Sequence, residues 1–124
     1  MKRTYSEEIA IKELEKLQEK LASWQNENFN PDDCRPEWMV VGALEELGEA
    51  AHILLKSRQR IRKYQNGFDD VAREDLKDAI SDTIVFLMQL STKTNISLGE
   101  ALFDTAKKVL NRKWVVNTGV EIND

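Results

Sequence analysis

Apolar residues recur at intervals of three and four positions along most of the chain, and this spacing predicts helices. Four segments carry the pattern. The predicted helices run from about Ser6 to Trp24, from Pro36 into the Lys56–Lys63 region, from Arg73 to Leu90, and from Ser97 to about Trp114. Strand patterns are almost absent. The sequence therefore predicts an all-α fold, a bundle of four helices or of five.

Residues at the ends of these segments support the prediction. Thr4-x-x-Glu7 and Ser97-x-x-Glu100 have the spacing of a capping box, in which a hydroxyl and an acid satisfy two free helix-end donors. Pro36 suits the first helical turn, because its missing N–H would be unpaired there anyway. Loops are predicted at residues 25–35 and around Asn66-Gly67, with Asp69-Asp70 opening the third helix.

Length and charge narrow the class of protein. The 124 residues suit a single domain over 1–124, with 1–5 and 115–124 as terminal tails. We expect no membrane partner, because no window approaches the length of an apolar span and the N-terminus turns acidic within seven residues. The lone Cys34 forms no internal disulfide, which favours a cytoplasmic location. The net charge of −4 argues against a polymeric nucleic-acid partner.

Carboxylates stand where the second helix should be apolar. With Glu45 at 0° on a helical wheel, Glu49 lies at about 40° and Glu46 at about 100°. The apolar residues of this helix fill an arc from about 80° to about 280°, so Glu46 lies inside it and Glu49 at its border. A buried carboxylate is costly unless it is paired, hydrogen-bonded or bound to a metal.

The third helix repeats the pattern, since Asp78 and Asp82 share a face one turn apart. If the two helices face each other, four carboxylates converge with no cluster of His or Cys. Such a donor set suits a hard cation, Mg²⁺ or alternatively Mn²⁺. The competing interpretation is that these acids are ordinary solvated side chains on helix surfaces.

The acid motifs resemble those of the MazG-like family of all-α nucleoside triphosphate pyrophosphohydrolases. Glu45-Glu46-Leu47-Gly48-Glu49 matches the EExxE motif, and the segment from Asp78 to Leu87 matches the one that carries the ExxD motif. The run Lys107, Asn111, Arg112, Lys113, Trp114 resembles the third conserved helix of the family. The resemblance covers about Trp24 to Trp114. It departs at Ala79, where ExxD has its Glu, so either Asp78 next door takes over as the ligand or one metal site is weakened.

The resemblance implies a Mg²⁺-dependent enzyme that cleaves the α–β phosphoanhydride of a nucleoside triphosphate, releasing the monophosphate and pyrophosphate to clean the nucleotide pool. It also implies a homodimer or homotetramer of helical bundles. The implied metal ligands are Glu46, Glu49, Asp78 and Asp82, and the implied catalytic acids are Glu45, which would orient the water, and Glu46. Lys107, Asn111 and Lys113 would bind the phosphates.

Three aromatic residues are candidates to contact the base. Trp24 borders the first loop, where the family often places stacking aromatics, Trp38 lies on the acid side of the second helix, and Phe86 follows Asp82 by one turn. Core packing is the alternative role for each. The basic residues from Lys56 to Lys63 are either a solvated helix end or a group that reaches the triphosphate.

Other functions stay open. Glu49-x-x-His52 has the Glu-x-x-His spacing of di-iron carboxylate bundles, although the chain has a single His and that architecture uses two such motifs. A non-enzymatic helical dimerisation or regulatory module would keep the apolar stripes and bind no Mg²⁺. A phosphoribosyl-ATP pyrophosphohydrolase would share the chemistry and act on a different substrate.

Overall fold

The computed structural model describes residues 2–116 and 119–122, and within these ranges lie four helices and one short hairpin. The helices are α1 (Tyr5–Asn28), α2 (Pro36–Gln59), α3 (Asp70–Lys93) and α4 (Leu98–Leu110), and the strands are β1 (Lys113–Val115) and β2 (Val120–Ile122). Short 3₁₀ turns precede and follow α2, at Pro31–Cys34 and Arg62–Tyr64. The predicted helical fold is confirmed, and the two-stranded sheet is an addition to it.

The helix starts follow from local capping. The Thr4 hydroxyl accepts from the Glu7 N–H at 3.1 Å while the Glu7 carboxylate accepts from the Thr4 N–H at 3.4 Å, so the predicted capping box is present. Ser97 caps α4 by accepting from the Glu100 N–H at 3.2 Å. Asp69 caps α3 in the same way, through the Ala72 N–H at 3.0 Å. Each cap satisfies a donor that the helix itself leaves free.

Three predicted helix ends are wrong, and α3 continues past Leu90 to Lys93. α1 continues four residues past Trp24, where Asn28 donates its side-chain amide to the Trp24 carbonyl at 2.7 Å. α4 ends at Leu110, not near Trp114, because the chain turns there into β1, which pairs antiparallel with β2. Trp114 is therefore on a strand, opposite Glu121, and not on a helix face with Lys107. Residues 117–118 and 123–124 of the predicted C-terminal tail lie outside the described residues.

The core lies between α2 and α3, which form an antiparallel helical hairpin. Its buried cluster consists of Ala50, Ile53, Tyr64, Ala72 and Ala79. Alanine at three of these positions lets the two backbones approach closely. α2 ends at Arg60, which adopts the left-handed conformation (φ 55°) more often taken by glycine at a helix C-terminus.

The first half of α1 packs against α4, and its second half packs against the α2–α3 hairpin. Near its C-terminal end the Leu21 carbonyl accepts a hydrogen bond from the Gln89 side chain of α3 at 2.8 Å. Near its start, Ile11 packs directly on Gly99 of α4. No helix in the described residues is long and apolar enough to cross a membrane.

Candidate functional site

A cleft of about 400 Å³ opens between α2 and α3, and we call it the acid cleft. α2 contributes Glu46, Glu49 and His52, because positions three residues apart lie on one helix face. α3 contributes its acids at similar spacing, and the 3₁₀ turn after α2 closes one side. The other lining residues are Ile53, Arg62, Lys63, Tyr64, Asp75, Asp78, Ala79 and Asp82.

The four acids predicted as metal ligands all line the acid cleft. Glu46 and Glu49 lie on one wall, and Asp78 and Asp82 lie on the other. Ala79, at the position where the family motif has its Glu, is 2% exposed and belongs to the core between the helices. A carboxylate there would stand on the buried floor of the cleft, whereas Asp78 is exposed at its edge.

The charge of Glu46 is destabilised by its surroundings. Its side chain is half-buried, and burial raises the pKa of its carboxyl. The nearby carboxylates of Asp82, Glu45 and Glu49 raise this pKa further, because they repel the ionised form. Glu45 does not line the cleft in the described structure, and it acts on the site from the exposed side of α2 through this repulsion.

At the opposite rim of the cleft, an acidic side chain is paired with a basic one. Asp75 accepts a hydrogen bond from the Tyr64 hydroxyl at 2.9 Å and pairs with the Lys63 ammonium at 2.8 Å. The Lys63 and Tyr64 hydrogen bonds lower the pKa of Asp75, since they stabilise its ionised form. The pKa of Tyr64 is raised to about 12, mainly by burial and secondly by the hydrogen bond to Asp75. At this rim the carboxylate and the ammonium neutralise each other, whereas burial and other carboxylates alone shift the pKa of Glu46.

The acids line one cleft without forming a finished metal cage. Across residues 2–116 and 119–122, no three His, Cys, Asp or Glu side chains come close enough together to hold a metal ion. The donor chemistry is nevertheless all oxygen apart from His52, which suits a hard cation. An ion bound here would have to draw carboxylates from both helices together.

A second cavity, of about 380 Å³, adjoins the acid cleft, and we call it the aromatic pocket. Trp24 and Phe29 lie at the end of α1 with their rings edge to face, the centroids 5.6 Å apart. Phe86 of α3 lines the same pocket. Glu46 and Asp82 line both cavities, so an aromatic compartment and a carboxylate compartment share a wall. The other lining residues are Gln25, Asp33, Cys34, Met39, Val85 and Gln89.

Two of the three aromatic residues predicted to contact a base lie in this pocket, namely Trp24 and Phe86. Trp38 lines neither cavity in the described structure and is half-exposed on α2. Phe86 also has a packing role, because its ring lies directly over Gly42. The base-binding and packing interpretations of Phe86 are therefore compatible.

The predicted phosphate-binding residues lie elsewhere. Lys107 pairs with Glu7 at 3.3 Å and donates to the Lys2 carbonyl at 3.2 Å, at the start of α1. Asn111 caps the end of α4, and Lys113 begins β1. Within the described chain these three residues do not line the acid cleft. Their role in phosphate binding stays a prediction.

Several residues of the two cavities were not among the predicted site residues. Tyr64 lines the acid cleft because the chain turns back after α2, which the sequence pattern did not show. The same turn brings Arg62 and Lys63 to the cleft, and a position near the site was one of the two alternatives for their basic run. Gln25 and Gln89 are almost completely buried in the aromatic pocket. The available signal for Gln25 was its position seven residues after Gln18, on the face of α1 that packs against the rest of the chain.

A scan against protein-family models, a search of curated proteins and a search of solved structures each returned no match to this chain. The MazG-like resemblance therefore rests on the sequence motifs alone.

Proposed function

We propose that this chain is a Mg²⁺-dependent nucleoside triphosphate pyrophosphohydrolase of the MazG-like kind. It would add water across the α–β phosphoanhydride of a nucleotide, so that the α–β bond breaks and the monophosphate and pyrophosphate are released. The observation that carries the proposal is the junction of the acid cleft with the aromatic pocket at Glu46 and Asp82. The expected role is removal of unwanted nucleotides from the pool.

The two compartments match the two halves of a nucleoside triphosphate. A base is flat and largely apolar on its faces, so it suits a pocket lined by Trp24, Phe29 and Phe86. A triphosphate is a polyanion and is repelled by a cleft of carboxylates. Only a cation between the two anionic groups makes this arrangement favourable, and divalent ions are the usual solution for phosphates bound by acids.

The residues of the acid cleft fit Mg²⁺ in chemistry, with Mn²⁺ as the alternative. Glu46, Glu49, Asp78 and Asp82 would hold it, because carboxylate oxygens are its preferred protein ligands. Bound there, Mg²⁺ would neutralise the triphosphate and acidify a water molecule. It would also relieve the repulsion that Glu46 experiences from its neighbours.

Other side chains would serve the phosphates and the water. Glu45, adjacent to Glu46 and exposed, is the candidate to orient the attacking water and take its proton. Arg62 and Lys63 line the cleft and would stabilise the negative charge of the departing pyrophosphate. Lys107 would reach phosphates only if a second copy of the chain brought it to the cleft.

We infer that the chain forms a homodimer through one face of the α2–α3 hairpin. Large apolar side chains form an exposed row on each helix, Val40, Leu44, Leu47 and Leu54 on α2 and Ile80, Ile84 and Leu87 on α3. On each helix the exposed row follows, by one residue, the positions that contact the other helix. Because the two helices are antiparallel, this offset places both rows on the same side of the hairpin. Leu44 and Leu47 are 63% and 57% exposed, and a second α2–α3 hairpin would cover them.

The activity is tested by pyrophosphate release from a panel of standard and modified NTPs and dNTPs with Mg²⁺. We expect Mg²⁺-dependent release that falls by at least about 100-fold in Glu46→Gln and in Asp82→Asn. Glu74→Gln is the matched control, since Glu74 is an exposed acid of α3 that pairs with Lys77 outside both cavities in the described structure. It should retain full activity.

Two outcomes would contradict the proposal. Release from no nucleotide, with the helical content intact, would favour a non-enzymatic dimerisation module. Stoichiometric iron in the purified protein, lost in His52→Ala, would favour the di-iron alternative, in which Glu49 and His52 of the same cleft are ligands.

A further inference from the structure

We propose that the aromatic pocket selects nucleobases that carry an exocyclic amino group over their oxo counterparts, and that Gln25 and Gln89 make this selection. The inference rests on the proposed nucleotide site and adds to it the class of base. Its basis is a pair of buried amide oxygens that have no hydrogen-bond partner in the described chain.

Each of the two glutamines uses its amino end inside the protein and leaves its oxygen free. Gln89 is 2% exposed, and its Nε2 donates to the Leu21 carbonyl at 2.8 Å. Gln25 is 5% exposed, and its Nε2 donates to the Met39 sulfur at 3.3 Å. The Leu21 carbonyl requires a donor, so the amino end of Gln89 faces it and Oε1 is the free end. In Gln25 the amino end faces the Met39 sulfur, a weak acceptor, and Oε1 is again the free end. Among the described residues, neither Oε1 accepts a hydrogen bond.

A third buried glutamine shows what a purely structural one looks like in this fold. Gln18 lies on the same helix as Gln25 and is 6% exposed. Its Nε2 donates to the Thr92 hydroxyl and the Ile96 carbonyl, both at 3.1 Å, and its Oε1 accepts from the Leu98 N–H at 2.9 Å. Gln18 lies outside the aromatic pocket, whereas Gln25 and Gln89 line it.

The missing partners define the ligand. A buried acceptor without a donor is unfavourable, so the two glutamines that line the pocket favour a guest that brings N–H groups to their shielded oxygens. Cytosine and adenine carry an amino group with two N–H donors, whereas uracil and hypoxanthine carry a carbonyl oxygen in its place. That oxygen would face other acceptors, and the single ring N–H beside it could satisfy only one of the two amide oxygens. Trp24, Phe29 and Phe86 contact the ring faces equally in both cases.

The test is the affinity for matched base pairs, measured by calorimetry with Mg²⁺ and non-hydrolysable α,β-methylene triphosphates. We expect the cytidine analogue to bind about 10- to 100-fold more tightly than the uridine analogue, and the adenosine analogue to exceed the inosine analogue similarly. The ratio should fall towards one in Gln25→Met and in Gln89→Met. Gln18→Met is the control, since it removes a buried glutamine outside the pocket and should leave the ratio unchanged.

The outcomes separate this inference from the proposed function. Equal affinities within each pair, or tighter binding of the oxo member, would overturn the selection while leaving the nucleotide site in place. A ratio that falls as far in Gln18→Met would also overturn it, because a general loosening would then explain the change. Binding of none of the four analogues would overturn both proposals. Circular dichroism of each variant at the assay temperature confirms that folded proteins are compared.

Discussion

Two glycines inside α2 offer a direct test of how closely α2 and α3 pack at the site. A Cβ built on Gly42 would overlap the Phe86 ring, lying 2.6 Å from both Cδ1 and Cζ. A Cβ built on Gly48 meets nothing within 4 Å among the described residues. Both positions are helical, so alanine at either one brings the same gain in helix propensity. The two substitutions therefore differ mainly in the overlap with Phe86.

The expected effects follow from these distances. Replacing glycine by alanine inside a helix stabilises it by about 1 kcal/mol, and forcing extra volume into a packed contact costs about 1–3 kcal/mol. For a chain of this length, about 1 kcal/mol corresponds to about 4 °C in melting temperature. Gly48→Ala should therefore melt about 4 °C above the wild type, and Gly42→Ala about 4–12 °C below Gly48→Ala.

Thermal melts followed by circular dichroism, without metal, measure both values. A Gly42→Ala protein as stable as Gly48→Ala would refute the close packing of Phe86 on α2. A second consequence concerns binding, because the displaced ring lies between Gly42 and the aromatic pocket. Gly42→Ala should therefore weaken binding of a nucleotide analogue, and Gly48→Ala should not.

Two further predictions concern the dimer and the rim of the acid cleft. Leu47→Lys should convert the proposed dimer to a monomer, as measured by light scattering. Leu110→Lys, at an 82% exposed leucine of α4, is the control and should leave the mass unchanged. A dimeric Leu47→Lys protein would exclude the α2–α3 face as the interface. Asp75→Asn should lower the free energy of unfolding at pH 7, because the folded pKa of Asp75 is lowered by Lys63 and Tyr64. A lowered pKa gives stability that is present above the unfolded value, 3.8, and lost as the pH falls through the folded one, so the two proteins should converge in strong acid. A constant difference down to that pH would refute the ion pair.

Local chemistry in the sequence was enough to place the helix starts. Thr4, Ser97 and Asp69 each accept from a donor three residues away, so their effect is visible in a short window. The helix ends depended on more distant contacts. α1 continues past Trp24 while Gln25 is buried against Met39, and β1 and β2 are strands of three residues each that only their pairing defines.

The acids of the cleft were predictable for a similar reason. Glu46, Glu49, Asp78 and Asp82 follow helical periodicity, so each pair shares a face before any tertiary contact is known. The position of Lys107 was not predictable, because it depends on how α4 packs against the start of α1. Gln25 and Gln89 were not predicted, because nothing in the sequence distinguishes an uncharged amide of this kind. Only the structure shows that their oxygens have no hydrogen-bond partner among the described residues.

The wall that the acid cleft and the aromatic pocket share constrains how such a protein can change over evolutionary time. A substitution at Glu46 or Asp82 alters the acid cleft and the aromatic pocket together, so neither cavity can change alone at these positions. Freedom to change the aromatic pocket alone is confined to side chains that border only this pocket. They lie at the end of α1, in the turn before α2, and on the hairpin at Met39, Val85, Phe86 and Gln89. Divergence among descendants of this chain should therefore concentrate at these positions, while Glu46 and Asp82 stay nearly fixed.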